Sequence, residues 1–79
     1  MITWTERYNI HHASIGRGSL ELIVAWDATA PKGSPTGYTV RVGGRRLKKL
    51  YQNVEDGKAA ALALARVIVM EMSRELVAP

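Results

Sequence analysis

The feature that most constrains this chain is its C-terminal third, where a helix signal opens at Asn53 and runs through Val77 with a middle that is apolar almost all the way round. Asn53 is a good N-cap residue, and Glu55 and Asp56 fall in the first turn, where carboxylates complement the helix dipole. Gly57 lowers helix propensity by about 1 kcal/mol against alanine, and the alanine-rich body that follows offsets it. A helix of roughly 23 residues is about 35 Å long. A seven-residue strand spans only about 23 Å. The helix is therefore expected to overhang any sheet it packs on.

A helix lying on one sheet needs one apolar face. Turning about 100° per residue, Leu62, Leu64, Ala61, Ala65, Ile68, Val69, Met72 and Leu76 fill an arc of about 160°, which is expected to face the sheet. Ala59, Ala60, Ala63, Val67 and Met70 lie on the opposite arc, bordered by Glu55, Arg66, Glu71 and Arg74. An ordinary exposed face would carry more charge. This second stripe is a candidate helix interface, in a homodimer or with another partner. Two apolar faces point to a protein that works by binding.

The rest of the chain reads as strands. Residues 2 to 10 alternate, with Ile2, Trp4, Tyr8 and Ile10 on one face and Glu6 as the exception. Ala13 to Ser19 holds two glycines and reads as a turn. Leu20 to Asp27 is a second strand, with Leu20, Leu22, Val24 and Trp26 on one face. Ala30 to Gly37 is a loop on composition. Tyr38, Val40 and Val42 form the inward face of a third strand. Gly43-Gly44 then predicts a two-residue type I′ hairpin, which needs positive φ at both positions. Arg45 to Tyr51 returns as a fourth strand if a bulge near Lys48-Lys49 repairs its register, and a short amphipathic helix is the competing reading. The expected fold class is α+β: a four-stranded antiparallel sheet in β-β-β-β-α order, with one long C-terminal helix on one face, as a single domain over residues 1–79.

At 79 residues the chain buries a modest share of its surface, and small domains often add disulfides, a metal or oligomerisation. It has no cysteine, which excludes disulfides and thiolate sites. No apolar run approaches the length of a membrane span, the longest being broken by Arg66, so a cytoplasmic protein is expected. His11 and His12 are adjacent, face opposite ways in a strand, and do not suggest a metal site. Gly16-Arg17-Gly18-Ser19 lacks the lysine and following helix of a phosphate loop. No nucleophile, base and carboxylate are grouped, so no catalytic residue, metal or cofactor is expected and the chain reads as non-enzymatic.

The net charge of +4 favours anionic partners. Arg41, Arg45, Arg46, Lys48 and Lys49 are five bases in nine positions, with no acid between them. Arg7 is expected to join them on the open face of the sheet, with Glu21 and Asp27 diluting the field. These six bases are the candidate partner-binding residues. Trp4, Tyr8, Trp26 and Tyr38 all fall on the expected core face, which argues against base stacking.

Three strands followed by a helix, from Leu20 to Val77, resemble the second half of a double-stranded RNA-binding domain. The chain departs from that pattern in Ser34-Pro35-Thr36-Gly37, which has no histidine, and in the acidic helix start Val54-Glu55-Asp56-Gly57-Lys58. The same order resembles the arm-binding domains of phage integrases, in which the Arg41 to Lys49 hairpin would enter the major groove. The whole chain is also similar to the small cysteine-free proteins of phages and prophages, the anti-CRISPR class among them. That likeness lies in size, strand-rich order and the alanine-rich helix beginning Val54-Glu55-Asp56-Gly57-Lys58-Ala59-Ala60. It implies a stoichiometric inhibitor that docks on a CRISPR surveillance complex or nuclease, through an acidic protein surface or guide-RNA backbone. Direct nucleic-acid binding by the basic hairpin is the alternative.

Overall fold

The computed structural model describes residues 2–27, 32–33 and 36–77. Among them the chain forms β1 (Thr5–Arg7), β2 (Ile10–Ile15), β3 (Leu20–Trp26), β4 (Tyr38–Val42), β5 (Arg45–Arg46) and α1 (Val54–Val77). The strands form one antiparallel meander in the order β1-β2-β3-β4-β5. The α+β class and the C-terminal helix agree with the sequence reading, and the strand count does not.

The extra strand arises where residues 2 to 10 were expected to run straight. Tyr8 and Asn9 both take left-handed backbone, with φ of 53° and 62°, and reverse the chain between Arg7 and Ile10. Two successive positive φ values make a type I′ hairpin, whose twist matches the flanking strands. The alternating pattern thus folds back on itself. Tyr8 sits at the turn, 85% exposed, and Ile10 is 45% exposed on the side away from the helix. Neither is core. Half of the expected Ala13 to Ser19 turn is strand, and the reversal is confined to Gly16–Ser19, where the Ser19 hydroxyl donates to the Gly16 carbonyl at 2.7 Å.

The Gly43-Gly44 hairpin forms, but only Gly43 has positive φ, at 60°. One positive φ at the first central position is the mark of a type II′ turn rather than I′. The fourth strand of the sequence reading shrinks to Arg45–Arg46, with no helix in its place. The Leu47 amide still donates to the Val40 carbonyl, and Tyr51 pairs with Tyr38. Lys48, Lys49 and Leu50 stay outside the ladder between those two points, an enlarged form of the expected bulge. Of the expected loop 30–37, residues 30, 31, 34 and 35 lie outside the described residues.

The core is a thin layer. Leu22 and Val24 of β3 and Val40 and Val42 of β4 are fully buried, joined by Ala13 of β2 and by Ala61 and Ala65 of α1. Full burial of each valine or leucine side chain contributes about 1.5–3 kcal/mol. Gly57, Ala61 and Ala65 recur every four residues and form the contact line of α1. At Gly57 a Cβ would lie 2.7 Å from Val24 Cγ1, so only glycine permits this approach of helix to sheet. That explains a residue whose intrinsic effect on the helix is unfavourable.

The 24 residues of α1 extend about 36 Å, past the end of the sheet, and the molecule measures 51 × 23 × 17 Å. The expected overhang is present. Its consequence is a correction to the helix faces. Val69, Met72 and Leu76 were expected against the sheet, yet they are exposed, Leu76 by 87%. They lie on the sheetward arc toward the C-terminal end of α1, where Val69 only borders Ile2 and Ile15 at the edge of the sheet.

Replacing Gly57 by alanine raises helix propensity by about 1 kcal/mol but overpacks the core by about 1–3 kcal/mol. Chemical denaturation of Gly57→Ala is therefore expected to show a lower midpoint than the native chain. The substitution is expected to cost less in a Val24→Ala background, where the clashing methyl is gone. A midpoint that rises with Gly57→Ala would refute the close approach.

Candidate functional site

The antiparallel register sorts the sheet into a helix side and an open side, and the open side into rows. One row holds Arg7, Ile10, Ala25 and Thr39. The next holds Thr5, His12, Ile23, Arg41 and Arg46. Ser14 and Glu21 follow in a third. At about 4.8 Å per strand, Arg7 stands roughly 14 Å across the face from Thr39.

Arg41 and Arg46 are direct cross-strand partners, so two guanidinium groups project side by side. Like charges directly opposite each other destabilise a sheet. No acidic side chain pairs with either of them among the described residues. They border a shallow hollow of about 360 Å³, whose floor is Ile23, Ala25 and Thr39 and whose far rim is Trp26 and Asp27. The Thr39 hydroxyl donates to the Ala25 carbonyl at 3.1 Å, which fixes the floor. Trp26 stands edge-on to Tyr38, with centroids 5.2 Å apart, and remains 40% exposed. The hollow therefore combines two cations with an apolar floor, while the Trp26 indole, beside Tyr38, turns to the helix side.

The six expected bases do not act as one cluster. Arg7, Arg41 and Arg46 share the open face. Arg45 alternates to the helix side, where its guanidinium donates a hydrogen bond to the Glu71 carboxylate of α1. Lys48 and Lys49 sit on the irregular segment after β5, with Lys49 Nζ 5.2 Å from the centre of the Tyr51 ring. Glu21 occupies the open face as expected, and His12 Nε2 lies 3.2 Å from its carboxylate. His11 points to the helix side, 3.6 Å from Glu6. The histidines thus face opposite ways, as their adjacency predicts. Among the described residues no cluster of histidine and carboxylate side chains has metal-ligating geometry.

The exposed apolar group of this face, Ile10, was missed by the sequence reading. Ile10 was misplaced by the unseen turn at Tyr8-Asn9. Trp26 follows the inward alternation but stands at the end of β3, beyond the cover of the helix. Asn9 is the signal that could have located the turn, because asparagine tolerates left-handed backbone better than most residues. Of the candidate helix stripe, Ala59, Ala63, Val67 and Met70 are all exposed. Ala60 of the same arc is instead half-buried against the core, and a shallow hollow formed with Leu47, Tyr51 and Leu64 touches the arc at Ala60, Ala63 and Val67.

The Arg45 hydrogen bond, reinforced by its charge, holds the Glu71 carboxyl below the usual carboxylate range, and the same contact raises Arg45. A lowered folded-state value means that the contact contributes stability above the unfolded carboxylate pKa of about 4.3, lost as pH falls through the lowered value. Both groups are exposed and screened, so the effect is small. Glu71→Gln is expected to flatten the acid limb of the stability–pH profile and leave the neutral fold intact. An unchanged acid limb in thermal melts would show that the pair is not populated in solution. No protein-family model, no curated protein and no solved structure matches this chain.

Proposed function

We propose that this chain is a non-enzymatic binding protein that docks the open face of its sheet on an anionic partner surface. It would act stoichiometrically, as a phage-type inhibitor of a host defence complex does, with a CRISPR surveillance complex as the partner that the anti-CRISPR resemblance implies. The observation that carries this reading is the side-by-side Arg41–Arg46 pair bordering an apolar floor of Ile23 and Ala25. Arginine is among the side chains that most often dominate protein–protein binding energy. Glu21 and Asp27 beside the hollow would repel a bare phosphate backbone, yet they suit a protein surface of mixed charge.

A second reading, direct nucleic-acid binding, draws on Arg7. Its place on the same face as Arg41 and Arg46 spreads positive charge across the width of the sheet. Phosphate contacts of that kind would give strongly salt-dependent affinity.

One pair of experiments separates the two. The protein is titrated against duplex DNA, single-stranded DNA and RNA at about 50 and 200 mM salt. It is also assayed, at one-to-one stoichiometry, for inhibition of target-DNA binding by a CRISPR surveillance complex. Inhibition without free nucleic-acid binding, lost in Arg41→Glu/Arg46→Glu, is the expected result. Steeply salt-dependent binding to free duplex would instead establish the second reading. The single variant Arg46→Glu provides a fold control, since it turns a repulsive cross-strand pair into an attractive one worth about 0.2–1 kcal/mol. It is expected to abolish binding while raising the melting temperature.

A further inference from the structure

On the helix side of the sheet an apolar groove of about 420 Å³ runs between α1 and the edge where β2 ends. Ile2 and Ile15 form its sheet wall, and Leu62, Val69 and Met70 form its helix wall. Ala65, buried to 2% exposure, lies at the floor. Its single methyl lets the helix sit low here, so the larger side chains on either side enclose a trough. From Leu62 to Val69 the trough follows two turns of α1, about 10 Å. Only one charged residue lines it, Arg66, which is exposed at the rim. The helix neighbours of Arg66 three and four positions away are Leu62, Ala63, Val69 and Met70, none of them acidic. Among the described residues no carboxylate pairs with it.

We infer that this groove binds a free, unbranched aliphatic carboxylate, a fatty acid of medium chain length. The alkyl chain lies along the trough and the carboxylate pairs with the Arg66 guanidinium. The volume falls in the range of small-molecule sites, about 300–1,000 Å³. The lining selects the shape of the ligand. It contains no aromatic ring, so nothing offers a stacking face to a planar molecule. Branched aliphatic side chains and the flexible thioether of Met70 suit a slim chain of adjustable contour. The lining also selects the charge. Its one ionic side chain is a cation whose planar fork matches a carboxylate, and it stands at the rim rather than in the trough. A ligand that is apolar along its body and anionic at one end complements both.

The acyl layer of a membrane could present the same chemistry, but the charge pattern favours the free acid. Helices that lie in an anionic membrane surface carry an excess of basic residues on their polar face. From Arg66 onward α1 instead balances Arg66 and Arg74 against Glu71 and Glu75. The groove also stands on the other side of the sheet from Arg41 and Arg46, because Ile15 pairs with Leu20 on the helix side. Occupancy of the groove is therefore independent of what the open face binds.

Calorimetric titration of the native chain with octanoate, decanoate and dodecanoate, each below its micelle concentration, tests the site. Saturable one-to-one binding is expected, tightening about two- to fourfold per added methylene, the range from half to full burial of the chain. Decanol and decyltrimethylammonium are expected to bind about tenfold more weakly than decanoate, since neither makes the charge-assisted contact. Arg66→Gln is expected to lower decanoate to the level of decanol and to leave decanol unchanged. Val69→Asp, at a half-exposed position, is expected to abolish decanoate binding with an unchanged circular dichroism spectrum, because it sets a repelling carboxylate in the trough. Val67→Asp, outside the groove, is expected to bind as the native chain does. Methyl shifts on titration should be confined to Ile2, Ile15, Leu62, Val69 and Met70. Absence of saturable binding at millimolar decanoate would overturn the inference. So would equal affinity for the quaternary ammonium, shifts spread over Val67 and Leu76 as in surfactant coating, or adsorption to phosphatidylglycerol vesicles without binding of the free acid.

Discussion

Gly57, Ala61 and Ala65 allow α1 to settle on the valine layer of β3 and β4, and the remaining architecture depends on that close contact. A Cβ on Gly57 would have no room against Val24. A larger residue anywhere on this line would lift the helix off Val24, Val40 and Val42, which together with Leu22 are the largest fully buried side chains. The contact also fixes the position of the helix along the sheet. Its N-terminal turns lie over Val24 and Val40, and Glu71 arrives where Arg45 projects from the hairpin after β4. The overhang, the groove beside Ile2 and Ile15, and the exposed end of the helix all follow from that placement.

So thin a core leaves little margin, since folded domains are stable by only a few kcal/mol. Against that background the surface carries features that do not serve stability. Two arginines stand side by side across β4 and β5 where an acid would bind them better. Ile10 faces solvent on the open sheet, and the Trp26 indole is partly exposed at the end of β3 on the helix side. The last turns of the helix carry Met72 and Leu76 with no sheet to cover them. Each feature is costly or neutral for the isolated chain. The two surfaces differ in kind. The open face is cationic with an apolar floor, and the C-terminal half of the helix is apolar and charge-balanced.

Most of the fold was legible in local pattern. The strong alternation of Leu20 to Trp26 and Tyr38 to Val42 marked the two central strands, and Asn53 marked the start of the helix. Misreadings concentrated where a local pattern is compatible with two foldings. Alternation from Ile2 to Ile10 looks the same in one strand or in two strands joined by a tight turn, because a two-residue reversal preserves the period. Arg45 to Tyr51 had a poor pattern because Lys48, Lys49 and Leu50 in its middle stand outside the ladder. The basic cluster was legible as composition but not as a surface. Strand alternation sends Arg45 to the helix side while Arg41 and Arg46 stay on the open face, and that depends on register.

The sequence by itself determined the class of fold, the long terminal helix, its overhang and the presence of a basic hairpin, since each rests on periodicity, capping or chain geometry within a few residues. Only the tertiary structure decided which apolar residues are covered. Val69, Met72 and Leu76 have the same spacing as core residues and differ only in height relative to the end of the sheet. That height is set by contacts between residues distant in sequence, Gly57 with Val24 and Arg45 with Glu71, which no local pattern encodes.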